Sequence, residues 1–282
     1  MATGKIYDRT TEDVGNIIAM EHVNITVPDQ SLATLFYVNG LGLTRDPYID
    51  FGPNNVWINA GNQQFHLPTN KAQVIRGHIG LVLPDLNALD ERLYSVEKRL
   101  RGTKFSFKRS KGFISVTCPW GNKIKCYESG KLYTMRLGIP YIEFNVPSGT
   151  SKGIARFYKE LFNCRTLTRK YSCQITIGRG QNLRFKEVKN KVDYDGHHIA
   201  IYVVDFSTPH NYLDGYSLIT EESDAHQYRF KTIIDPNTGE KLFDIEHEVR
   251  SLHHPMYGRF LVNRNAAQSF RNYQQGLDAF VP

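Results

Sequence analysis

The sequence predicts an α+β protein in which four βαβββ units pair into two curved eight-stranded mixed sheets. Three observations carry this reading. An alternating pattern of about eight residues occurs four times: HVNITVPD at 22–29, HIGLVLPD at 78–85, YIEFNVPS at 141–148 and HIAIYVVD at 198–205. The starts lie 56, 63 and 57 residues apart, and a period that long marks a duplicated supersecondary unit. Finally, 282 residues that are 40% hydrophobic and 12% aromatic can bury a sizeable core, which excludes general disorder.

Each repeated strand alternates apolar and polar residues, and most copies close with Asp or Ser, which suit a helix N-cap. A helical stretch follows. Leu32, Leu35, Phe36 and Val38 make the first apolar face, ended by Gly40. LNALDERLYSVEKRL is the second helix, and Ile154, Phe157, Tyr158 and Leu161 form the stripe of the third. The fourth is short and weakened by Pro209. Short strands are expected around 54–60, 63–68, 104–109, 112–118 and 122–128, then 172–178, 181–187, 217–221, 227–235 and 240–248. Pairing consecutive units gives a first domain at 18–130 and a second at 136–250, joined at Lys131 to Arg136, with 251–282 a tail packed over both.

Charge and cysteine usage narrow the function. Lys and Arg number 35 against 28 Asp and Glu, a net +7, and seven of the cations lie between Lys98 and Lys111. That run reads as a solvated helix end and strand. No helix-turn-helix, finger or RNA-binding aromatic signature accompanies it, so no nucleic-acid partner is expected. No apolar run approaches the ~20 residues of a membrane helix, and MATGKIYDRTTEDVG carries no signal-peptide stretch, so a cytoplasmic protein without membrane contact is expected. Cys118, Cys126, Cys164 and Cys173 lack CxxC spacing, which argues against a zinc knuckle or a disulfide scaffold.

The repeated strand-then-helix pattern, FYVNGLGL in the first unit, FYKELFNC in the third and CPWGNKIKCYE at 118–128 together resemble the vicinal oxygen chelate superfamily. That superfamily includes glyoxalase I, bleomycin-resistance proteins and extradiol catechol dioxygenases. The resemblance covers about 230 residues. It implies metal ligands that project into each sheet's concavity from the first and last strand of each unit, and it makes a homodimer an expectation.

Strand alternation then selects the inward residues. With Val23, Ile25 and Val27 in the core, His22 faces the cavity; His66, His78 and Lys125 do so on the same logic. His22, His66 and His78 are the expected ligands of a divalent Fe, Mn, Zn or Ni ion. Lys125 stands where the superfamily carries a carboxylate, and with Tyr127 it is the expected clamp on oxyanion charge. In the second domain the inward set is Tyr141, Glu143, Arg184 and His198, with Asp244 or Glu246 from the last strand. Tyr141 breaks a ligand triad there, and Glu143, Arg184, Lys186 and Glu246 read as a buried ion-pair network. The resemblance implies an enzyme, a dioxygenase or a lyase or isomerase, acting on a small and possibly aromatic oxygenated compound. The alternative is a metal-free cup that binds or sequesters a small molecule, as bleomycin-resistance proteins do.

Overall fold

The computed structural model describes residues 7–49, 51–190, 193–265, 268, 273–277 and 279–282. The first unit is β1 (Ile17–Asn24), α1 (Gln30–Thr34), β2 (Thr44–Arg45), β3 (Asn55–Ala60) and β4 (Gln63–Pro68). The second is β5 (Gly77–Leu83), α2 (Leu86–Glu97), β6 (Ser106–Ser110), β7 (Phe113–Thr117) and β8 (Lys123–Glu128). The third is β9 (Gly138–Pro147), α3 (Ser151–Phe162), β10 (Thr166–Arg169), β11 (Ser172–Thr176) and β12 (Asn182–Val188). The fourth is β13 (His198–Val203), α4 (Ser207–Gly215), β14 (Ile219–Asp224), β15 (Gln227–Ile234) and β16 (Lys241–Ser251). No described helix is long and apolar enough to cross a membrane.

The two eight-stranded mixed sheets are present, but consecutive units do not share one. The first sheet runs β14-β15-β16-β13-β1-β4-β3-β2 and the second β10-β11-β12-β9-β5-β8-β7-β6. The first unit therefore joins the fourth, and the second joins the third, so the expected sheets within 18–130 and 136–250 are corrected. The physical reason is that all four first strands are alike. Each is the open edge of its unit, and alternation says which face is buried, not which edge meets which. The short 129–137 connection lays β9 antiparallel against β5, and this leaves β1 for β13.

Alternation itself holds. Val23, Ile25, Phe65, Ile79, Leu81, Ile124 and Cys126 are all buried beneath the helices. Asp29 accepts from the Leu32 amide and Asp85 from those of Asn87 and Ala88, as caps should. Asp205 likewise accepts from the Thr208 amide, and Pro209 sits in the first turn of α4, where proline is tolerated. Ser148 does not cap α3; Glu187 does, accepting from the Ser151 amide at 3.1 Å. The first helix also departs from expectation, passing after Thr34 into a π-helical segment over Leu35–Gly40.

Repeat-related residues clamp the sheets together. Gln181, before β12, accepts from the Met20 amide and donates to the Met20 and Ile139 carbonyls, each at 3.1 Å. Its counterpart Gln63 accepts from the Ile139 amide at 3.0 Å. The turns before them bring Gly61 and Gly178 against the other sheet's backbone. Gly178 has φ +62, donates to the Ile17 carbonyl at 2.8 Å, and a Cβ there would lie 1.9 Å from the Ile18 carbonyl oxygen. The tail packs along the first sheet's β2–β4 side, where Asn263 exchanges hydrogen bonds with both backbone groups of Gly61 and Arg259 meets Asp46 at 2.7 Å.

Gly178→Ala should accordingly destabilise the protein by more than ~2 kcal/mol, because strain and collision with backbone act together. Gly180→Ala, at φ +75 with nothing within 4 Å of the added carbon, should cost only about 1 kcal/mol. Denaturant titration of both variants checks the difference.

Candidate metal centre

Three strands at the middle of the first sheet converge on one point. In the antiparallel β1–β13 pair Asn24 lies opposite His198 and His22 opposite Ala200. The parallel β13–β16 pair sets Glu248 beside Ala200. His22, Ala200 and Glu248 thus form a row across the floor with His198 one step along, and the small Ala200 side chain leaves space between them. Each of His22, His198 and Glu248 offers one ligand atom, and these lie within 4.8 Å of one another. Two imidazoles and one carboxylate form the facial set that suits a divalent transition metal with positions left open.

The surroundings fit such an ion. A register shift in β1 between Met20 and His22 brings Glu21 to the same face as His22. Its carboxylate lies 3.0 Å from His22 Nδ1, so Nδ1 carries the proton and Nε2 keeps its lone pair. That Nε2 is buried with no hydrogen-bond partner, which is costly unless something fills the site. Asn24 lies 3.3 Å from His198 Nδ1 and its Oδ1 is also buried without a partner. Turning the amide over lets Oδ1 accept from Nδ1–H and frees His198 Nε2.

Charge agrees with geometry. Burial holds the His22 and His66 imidazoles below their ordinary pKa, so both are neutral near pH 7. Burial alone would raise the Glu248 carboxyl, but its contacts with the neighbouring His198 ring and with the Arg250 and Arg229 guanidiniums bring it well below the usual carboxylate range. Arg229 and Arg250 each lie 2.5 Å from a Glu248 oxygen, Arg229 also meets Glu246 at 2.7 Å, and Arg250 meets Glu21. Glu21, Glu246 and Glu248, with Glu221 also 3.6 Å from Arg229, therefore face two guanidiniums, an excess of negative charge that a divalent cation would offset.

The expected residues are divided between the cups. His66 lies beside His22 but does not converge on the triad. Its ring is stacked between His22 at 3.7 Å and Trp57 at 3.5 Å, with Nε2 3.1 Å from Gln64 Oε1. His78, Lys125 and Tyr127 stand in the other sheet, so His22, His66 and His78 do not form one ligand set. Tyr141, Glu143 and Arg184 are also in the second sheet, where His78 Nε2 lies 3.0 Å from the Tyr141 hydroxyl and Tyr127 2.8 Å from it. His198, Asp244 and Glu246 belong to the first. Asp244 sits away from the triad, held by Lys241 at 2.6 Å and Thr232 at 2.9 Å. Glu246 lies 3.5 Å from His198 Nδ1 on the solvent side, beside the triad. The expected Glu143–Arg184–Lys186–Glu246 network does not form, because the two carboxylates are in different sheets.

Sequence reasoning missed Glu248. Its parity was legible, since Phe243, Ile245 and His247 alternate into the core and leave Asp244, Glu246 and Glu248 on the cup face. What the sequence lacked was the register of β16 on β13. Arg229 carried no signal until Glu248 was placed. The thiols do not contribute, and burial pushes Cys164 and Cys173 up to about 12.

No protein-family model and no curated protein sequence matches the chain. Among solved structures, glyoxalase I from Zea mays is 14% identical with a TM-score of 0.60, over 82% of this chain and 92% of that one. A Bacillus subtilis protein provisionally described as a dioxygenase is 14% identical with a TM-score of 0.56, over 88% of this chain and 92% of that one. With the sheet architecture, these likenesses show that the chain has the vicinal oxygen chelate fold.

His247, between the two cup carboxylates, anchors β16 in the core. It stacks on Phe230 at 4.3 Å, with Nδ1 2.8 Å from the Ile245 carbonyl and Nε2 2.6 Å from the Tyr158 hydroxyl. Burial lowers its pKa from 6.5 to about 3. The unfolded chain then binds the extra proton more readily, so this neutral histidine favours folding fully above about 6.5 and progressively less as pH falls toward 3. His247→Phe should remove this histidine's share of the acid sensitivity, a slope of up to about 1.4 kcal/mol per pH unit. Denaturation of both proteins from pH 4 to 7 checks it.

Proposed function

We propose that this chain is a metal-dependent enzyme acting on a small oxygenated compound held through two adjacent oxygens, with His22, His198 and Glu248 holding a divalent Fe, Mn, Zn or Ni ion. The observation that carries it is the buried, partnerless His22 Nε2 facing a second imidazole and a carboxylate in a cup where carboxylates outnumber guanidiniums. A metal ion there would polarise a carbonyl or make a bound hydroxyl more acidic.

The chain's own residues supply the rest. Glu21 fixes the His22 tautomer, and Arg229 with Arg250 orients the Glu248 carboxylate. Glu246, whose side chain is 24% exposed on the cup's open side, is placed to take a proton from an incoming hydroxyl. Trp57 and His66 form a stacked wall that backs His22. The fold supports isomerases and dioxygenases alike, so the reaction class follows from the substrate and not from the sheet.

One observation favours a second reading. Both Glu248 oxygens already meet guanidiniums, and such a network can stand as a metal-free binding cup.

Calorimetric titration with Fe(II), Mn(II), Zn(II) and Ni(II) decides between them. One of these ions should bind at one site per chain. His22→Ala, His198→Ala and Glu248→Gln should each weaken it by at least about 100-fold, and Glu21→Gln by roughly 10- to 100-fold. His78→Ala and Lys125→Glu should leave binding unchanged. Absence of binding, or its loss in His78→Ala, overturns the proposal in favour of the metal-free cup.

A further inference from the structure

The second sheet forms its own cup, and the repeat permits residue-by-residue comparison with the first. Gly80 lies opposite Tyr141 as Asn24 lies opposite His198, and His78 lies opposite Glu143 as His22 lies opposite Ala200. Arg184 is beside Glu143 as Glu248 is beside Ala200, and Lys125 is beside Gly80 as His66 is beside Asn24. The triad His22–His198–Glu248 thus becomes His78–Tyr141–Arg184. A carboxylate has become a guanidinium, and a cation is built into the position from which the first cup would hold one.

The charge around it is one-sided. Arg169, Arg184, Lys186 and Glu143 line a cavity of about 430 Å³, and Lys123 and Lys125 line a second one of about 230 Å³ with His78, whose Nδ1 lies 3.6 Å from Glu143. None of these five cations forms an ion pair among the described residues, and Glu143 is the carboxylate among the lining groups. Arg184 is held in place, its guanidinium 3.7 Å over the Tyr141 ring and 3.4 Å from the Tyr133 hydroxyl, with Nε buried and lacking a partner. Burial first, then Lys125, Arg184, Lys186 and Lys123, lowers the His78 pKa to about 4, so the imidazole stays neutral near pH 7. Leu167 and Tyr171, both exposed, stand on the rim.

We propose that the second cup is a metal-free site for small organic acids, whose carboxylate or phosphate is received by Arg184 and Lys186 opposite Lys123 and Lys125 while an apolar body rests on Leu167 and Tyr171. The chemistry is charge-assisted hydrogen bonding to a planar fork, which a guanidinium provides and a bound metal need not. No bond is made or broken. The site is independent of whether the first cup holds a metal.

The test uses the full chain with labelled histidine, following the His78 ring resonance during titration with benzoate, phenyl phosphate and uncharged benzyl alcohol. At least one anion should move His78 along a saturable curve, and benzyl alcohol should not. Which anion binds assigns carboxylate or phosphate as the group received. Arg184→Met and Lys186→Gln should each weaken that anion by roughly 10- to 100-fold, whereas His198→Ala, in the other cup, should leave it unchanged. Lys186 is exposed, so its variant tests the cup even if Arg184→Met fails to fold. The proposal is overturned by an unmoved His78, by equal binding of benzyl alcohol, by undiminished binding in Lys186→Gln, or by loss of binding in His198→Ala.

Discussion

The antiparallel pairing of β1 with β13 is the constraint on which the rest depends. It sets Asn24 opposite His198 and His22 opposite Ala200, and so joins two units from opposite ends of the chain into one floor. Only in that register do two imidazoles and Glu248 share a centre. Because strand side chains alternate with a period of two, a slip of one residue would turn His22 into the core and Val23 into the cup. The clamp made by Gln63, Gln181, Gly61 and Gly178 then fixes the second sheet against the first.

One backbone plan has produced cups of opposite electrostatic character. The first gathers three carboxylates around the imidazoles of its triad, and the second gathers cations around the neutral His78 ring. The difference lies in a few positions, chiefly Glu248 against Arg184 and His198 against Tyr141. Tyr141 is admitted by Gly80, whose missing side chain leaves the ring room to lie flat; a Cβ there would meet it at 2.3 Å. That phenol, far above its ordinary pKa through burial, contributes a neutral hydroxyl and no ligand charge.

Most of the fold was legible because alternation and spacing are local. The positions of most strands, the buried face of each and three of the helix caps follow from residues within a few positions of one another, although β1 runs over Ile17–Asn24 and not 22–29. The two-residue β2 and the exposed β10 were not recognisable, since neither buries an apolar face. The site was half legible. His22 and His198 were placed on cup faces correctly, but membership of one cup is a property of sheet order, which a repeat of near-identical edges does not encode. Glu248 was obscured by the same gap, and His66, chosen by parity, points correctly but spends its ring on stacking.

The order of units in the sheets also dictates an order in time. The second sheet closes between partners 63 residues apart, as in His78 and Tyr141, whereas Asn24 and His198 of the first are 174 apart. The extra loop length costs only about 1 kcal/mol of closure entropy, so the effect is on sequence of events more than on stability. During synthesis β12 is complete at Val188 before β13 begins at His198. The inner sheet can therefore form while the first unit still waits with β1 as an unpaired edge. At ordinary elongation rates that interval, from β4 to β13, is on the order of ten seconds. An apolar edge exposed for so long is an invitation to aggregation until the fourth unit emerges and β13 covers it.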